Sequence, residues 1–106
     1  MSASEREPGR TRDRRNPNSL TSLTQLQAFV TVVKFGSFTR AAAALSISQP
    51  GISELIRRLE LDLSSTLILR RGVKFELTNA GEKLLPHAEQ AVASARQAVK
   101  AVRPEL

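Results

Sequence analysis

The chain has 106 residues, room for one small domain, and with no Cys and a single His it can build neither a disulfide framework nor a Cys or multi-His metal site. Its 16 Lys and Arg outnumber 10 Asp and Glu for a formal charge of +6, which points to a polyanionic partner and leaves nucleic acid and anionic lipid both open. No apolar run approaches the roughly 18 residues of a membrane span, and the N-terminus lacks the apolar centre of a signal peptide, so a soluble, cytoplasmic protein is expected.

Residues 1–19 contain Arg6, Arg10, Arg12, Arg14 and Arg15 with Pro8, Gly9 and Pro17, and almost nothing to bury. This composition predicts a disordered basic arm, either a solubilising tail or a source of non-specific phosphate contacts. The acids Glu5, Glu7 and Asp13 reduce its charge.

Helical periodicity begins at Ser22-Leu23-Thr24-Gln25, a capping-box pattern in which Ser22 and Gln25 are expected to satisfy each other's free backbone donors. Leu26, Phe29, Val30 and Val33 then recur at i, i+3, i+4 and i+7, and Gly36 supplies a left-handed stop after Phe35. Ser37 follows as the N-cap of a short second helix, Phe38 to Leu45, with Phe38, Ala41, Ala42 and Leu45 facing inward. Only Ser46-Ile47-Ser48 separates this helix from the next, so two steeply crossed helices are expected with Ile47 plugging the angle between them.

Ser48 caps the third helix, and Pro50 lies in its first turn, where a missing N–H removes no internal bond. Ile52, Leu55, Ile56, Leu59 and Leu63 form its inward stripe; Pro50, Ser53, Glu54 and Arg57 lie opposite, flanked by Gln49 and Arg58. Thr66 to Arg70 is β-prone, Arg71-Gly72 supplies a turn, and Lys74 to Leu77 returns, a two-stranded wing. Thr78 caps a final helix from Asn79 to about Arg103, about 37 Å long at 1.5 Å per residue and too long for so small a core. Its residues Leu85, Ala88, Val92, Ala95, Val99 and Val102 step by threes and fours, the seam by which helices pair, and predict a homodimer; Pro86 should kink the helix or loosen one hydrogen bond. The predicted fold is therefore mainly α: three helices and a two-stranded β wing over residues 20–78, a winged helix-turn-helix, then a linker and dimerisation helix over 79–106.

A helix in the DNA major groove puts its first turns against base edges, where Gln49 and Ser53 stand one turn apart, and Gln pairs bidentately with adenine. As isolated residues the two would be a tolerated first-turn residue and a solvated filler; the helix-turn-helix setting favours reading. The N-termini of the second and third helices carry free N–H groups, with Ser37, Thr39 and Ser48 as added hydroxyl donors for phosphate, although Ser37 and Ser48 are equally well explained as caps. Arg70, Arg71 and Lys74 in the wing suit backbone contacts or a narrow minor groove, the alternative being a solvated loop. Arg57 and Arg58 could reach phosphates, or Arg58 could pair with Glu54 or Asp62. His87 has no nucleophile or carboxylate cluster nearby, and neither a phosphate-cradling glycine loop nor a placed acid-base pair is present, so no enzyme, cofactor or metal site is expected.

The set Leu26-x-x-Phe29, Gly36-Ser37-Phe38-x-x-Ala41-Ala42-x-x-Leu45, Ser48-Gln49-Pro50, Ser53, Ile56, Leu59-Glu60, Leu63 and Leu77-Thr78-x-Ala80-Gly81 resembles the N-terminal domain of LysR-type transcriptional regulators, from about Leu23 to Val102. The resemblance implies a sequence-specific, double-stranded-DNA-binding transcription regulator of the bacterial cytoplasm. It also implies an antiparallel pairing of linker helices that sets two reading heads on a dyad operator, with higher oligomers open. The positions matching Gln49, Pro50 and Ser53, and the wing around Arg70, would touch DNA. Glu54 departs from the pattern, standing where the family often has a basic residue; it would repel phosphate but could accept from cytosine N4. Ser64 stands for a usual glycine, Ile68 for a usual wing phenylalanine and Leu69 for a usual polar residue, while Leu61 puts an apolar side chain on an outward face. Such regulators continue into an effector-binding domain, which is expected to be absent from these residues. The rival expectation is a helical interaction module that dimerises but has lost DNA binding, motivated by Glu54 and the altered wing. Binding of the last helix to anionic membrane is a weaker third, because its stripe is mostly alanine.

Overall fold

A computed structural model gives the structure of residues 21–71, 74–103 and 105. The elements run α1 (Leu23–Phe35), α2 (Phe38–Leu45), α3 (Gln49–Leu63), β1 (Ile68–Arg71), β2 (Lys74–Leu77) and α4 (Asn79–Val102). The predicted basic arm and the Gly72 turn lie outside the described residues.

Each helix starts where a hydroxyl can replace the missing turn. Ser22, Ser37, Ser48 and Thr78 accept hydrogen bonds from the backbone N–H of Gln25, Arg40, Gly51 and Gly81, each three residues on. The capping box at α1 is only half formed, because the Gln25 side chain accepts from the Thr21 hydroxyl and does not fold back onto Ser22. Gln25 is buried, so a bond to Thr21 answers its polarity within the protein. Gly36 ends α1 at φ 64°, but α2 and α3 end on Ser46 and Ser64, which adopt φ 58° and 52° without the freedom of glycine.

The core gathers Ala28, Phe29 and Val32 of α1, Ala41 and Ala42 of α2, Ile52, Ile56 and Leu59 of α3, then Leu67, Ile68 and Ala88. The deepest line of α1 is Gln25, Ala28, Phe29 and Val32, rotated by one residue from the expected stripe, whose Leu26, Val30 and Val33 pack at its margin. Ala28 is fully buried in that line, so a larger side chain there would have to displace its neighbours. Two expected core residues stand outside. Ile47 is 38% exposed at the α2–α3 turn, where the chain turns through left-handed Ser46, and Leu63 is 40% exposed at the last position of α3, beyond the reach of the core.

β1 and β2 pair antiparallel, Ile68 opposite Leu77, Leu69 opposite Glu76 and Arg70 opposite Phe75. Opposed residues share a face, so Ile68, Arg70, Phe75 and Leu77 look one way and Leu69 and Glu76 the other. The unalternating run Leu67-Ile68-Leu69 is thereby resolved: Leu67 precedes the strand and is buried, Ile68 faces the core, and Leu69 turns outward.

The Leu77-Thr78-x-Ala80-Gly81 pattern joins wing to α4. Thr78 donates its hydroxyl to the Thr66 and Leu67 carbonyls and its N–H to the Leu67 carbonyl. At Gly81 a Cβ would come within 2.4 Å of the Leu67 carbonyl oxygen and 2.9 Å of Leu77 Cδ2, so only glycine fits. On the other side, the Glu60 carboxylate accepts from the N–H groups of Leu67 and Ile68 at 2.8 and 3.2 Å. These bonds fix the wing relative to α3. The helix α4 runs on through Pro86 to Val102. No described helix is long and apolar enough to cross a membrane.

Candidate nucleic-acid interface

With Ile52, Ile56 and Leu59 committed to the core, α3 presents the opposite face outward: Gln49, Pro50, Glu54 and Arg57 are exposed and Ser53 partly so. Gln49, Ser53 and Arg57 follow at i, i+4 and i+8 and form one line along the helix. Gln49 Nε2 lies 3.5 Å from Ser53 Oγ, so the two polar groups at the start of α3 share one place.

The third member of the line is held by a carboxylate. Arg57 donates Nε and Nη2 to the two oxygens of Glu54 at 2.8 and 2.7 Å, a bidentate pair, and Arg58 donates Nε to Glu54 Oε2 at 3.1 Å. Arg58 thus pairs with Glu54 rather than Asp62. The hydrogen bonds from Arg57, then Arg58, hold the Glu54 carboxyl well below the usual range, at about 2, and the same contact raises Arg57. Glu54 is therefore a carboxylate at any physiological pH, and the two arginines leave the triad net positive.

Arg70 reaches this face from the wing. Its guanidinium lies over the ring of Phe38 at 3.7 Å from the centroid, a cation–π stack between β1 and the first residue of α2. Phe38, Ser53, Ile56, Arg57, Glu60, Ile68 and Arg70 line a cleft of about 250 Å³, so wing and α3 form a single surface. Phe38 and Glu60 were legible only as a core aromatic and a motif position. Their roles in placing Arg70 and the wing depend on contacts across elements that no periodicity encodes.

The hydroxyls of Ser37 and Ser48 serve as caps, while Thr39 is exposed beside Arg40 at the start of α2. Backbone register puts Arg71 opposite Lys74 at the wing's outer end. Of the expected α4 seam, Ala88 and Val92 are not free for a partner: both are buried in this chain's own core, where α4 packs on α1. Leu85 packs at the core margin, Ala95 and Val99 line a groove of about 190 Å³ with Leu23, Thr24 and Gln27 of α1, and Val102 is 81% exposed. Among the described residues no cluster of three or more His, Cys, Asp or Glu could hold a metal ion.

Comparison with known proteins gives the same architecture. The chain is 43% identical over 84 residues to the HTH-type transcriptional regulator ShiR of Corynebacterium glutamicum, covering 76% of this chain and 28% of ShiR. It is 40% identical over 80 residues to the regulator PcaQ of Agrobacterium fabrum, covering 76% and 26%. The chain thus spans about a quarter of the length of the curated relatives it matches. Among solved structures it is similar to oxidised OxyR of C. glutamicum, with TM-score 0.78 and 39% identity over 83% of this chain and 27% of that one. It is also similar to the DNA-binding domain of CbnR in complex with DNA, with TM-score 0.70 and 32% identity over 79% of this chain and 97% of that one. Residues 23–82 match the family described as bacterial regulatory helix-turn-helix protein, lysR family, and the chain belongs to that family.

Proposed function

We propose that this chain is the DNA-reading part of a transcription regulator and binds a dyad operator in double-stranded DNA as a homodimer. The observation that carries the reading is the outward face of α3. Gln49, Ser53 and Arg57 stand in line on a helix whose opposite face is locked in the core, with Arg70 brought alongside by its stack on Phe38. A rigid helix presenting polar side chains from its first turns suits the major groove. The DNA complex of the similar CbnR domain supports the assignment.

In this reading Gln49 and Ser53 meet base edges, Pro50 packs beside them, and Ser37, Thr39 and Ser48 meet phosphates through the N-termini of α2 and α3. Arg70, Arg71 and Lys74 follow the backbone next to the wing. The protein works in the bacterial cytoplasm on the nucleoid, and a small-molecule effector enters only through a further domain. The rival, an interaction module without DNA binding, draws on Glu54 and the altered wing. That carboxylate is taken up by two arginines, so it does not leave the face acidic.

Fluorescence anisotropy against a promoter library and random DNA tests the function. A strong preference for particular sequences is expected; equal affinity for all of them would overturn it.

A further inference from the structure

Glu54 sits in the middle of the face assigned to DNA, where an acid is electrostatically unwelcome, and its contacts suggest what it does there. A guanidinium has two pairs of parallel N–H groups, one along its side (Nε and Nη2) and one at its end (Nη1 and Nη2). In Arg57 the side pair is fully occupied by the two Glu54 oxygens at 2.8 and 2.7 Å. The end pair makes no hydrogen bond among the described residues. Arg58 holds Glu54 Oε2 from the other side at 3.1 Å, so the carboxylate itself is restrained.

We propose that Glu54 is a positioning residue that fixes the Arg57 guanidinium with its end pair directed outward, making Arg57 a reader of guanine rather than a phosphate contact. Guanine offers N7 and O6 in the major groove, two acceptors at the spacing of that end pair. A free arginine can swing to whichever phosphate is nearest. One whose side pair is already bound loses that option, and the carboxylate behind it repels phosphate. The line Gln49, Ser53, Arg57 places this guanine further along α3 than the bases met by Gln49 and Ser53. The inference rests on α3 reading DNA.

The test is sequence selection by the full chain from a random oligonucleotide pool, with wild type, Arg57→Ala, Glu54→Gln and Glu54→Ala, each first checked for unchanged helix content. Wild type should select guanine at one position by about tenfold or more over other bases, and Arg57→Ala should lose that selection alone. Glu54→Gln and Glu54→Ala should blur the same position while binding random DNA more tightly, because a negative charge has gone. A loss of structure would instead weaken both. Retention of the guanine in both Glu54 variants, or blurring at every position equally, overturns the proposal while leaving α3 as the reader. Failure of wild type to select any sequence overturns sequence reading itself, and this inference with it.

Discussion

Residues that break local rules mark where this fold is under strain or tightly constrained. Ser64 ends α3 at φ 52°, a conformation that disfavours a Cβ and is relaxed by glycine. Ser64→Gly should stabilise the protein by about 0.5–1 kcal/mol in chemical denaturation, the gain being partly offset by a more flexible unfolded chain. No gain would mean that Ser64 is not strained. Gly81 has the opposite character, since its constraint is space rather than backbone angle. Gly81→Ala should cost about 1–3 kcal/mol, because the added methyl meets the Leu67 carbonyl, which the Thr78 bonds prevent from moving away. At Glu54 the folded carboxyl titrates at about 2 against an unfolded value of about 4.3. The lowered value means that the pair's contribution is present above the unfolded value and is lost as pH falls through the folded one. A carboxyl NMR titration should place Glu54 near 2, and Arg57→Ala should move it upward. An ordinary midpoint in the wild type would show that the pair does not persist in solution.

Among the elements, α3 and the wing are held as one unit by Glu60 and by the loop that Thr78 closes. Glu60 gives Leu67 and Ile68 the hydrogen-bond partner that the sheet does not supply. Glu60→Ala should therefore destabilise the protein by about 1–3 kcal/mol and loosen the wing, seen as faster amide exchange at Leu67 and Ile68 than at core positions of α1. Equal protection of Leu67 and Ile68 in the wild type and Glu60→Ala would show that the wing is positioned by packing alone. The elements themselves were legible to within a residue or two, because each helix announces its start with a Ser or Thr and its body with apolar spacing. What periodicity could not settle was the exact rotation of α1. A stripe scored by hydrophobicity passes over Ala28 and Gln25, and both are buried.

At the scale of the molecule, the apolar seam of α4 is buried within the chain along only part of its length. Ala88 and Val92 close the core against α1, and Val99 and Val102 project beyond it. Val99→Asp should leave the melting temperature nearly unchanged and weaken self-association at least tenfold in sedimentation velocity, whereas Val92→Asp should unfold the protein by burying a charge. Unchanged association in Val99→Asp would place the dimer contact elsewhere. The amino-acid sequence by itself determined the order of elements, the caps, the outward polar face of α3 and the family, because these depend on neighbours within a few residues along the chain. Only the tertiary structure decided that half the apolar seam of α4 is spent within the chain, that Arg70 rests on Phe38, and that Glu54 is bound to two arginines. The same apolar spacing serves a core or a partner equally well, and the same charge spacing allows several pairings. Which one forms depends on what the fold brings within reach.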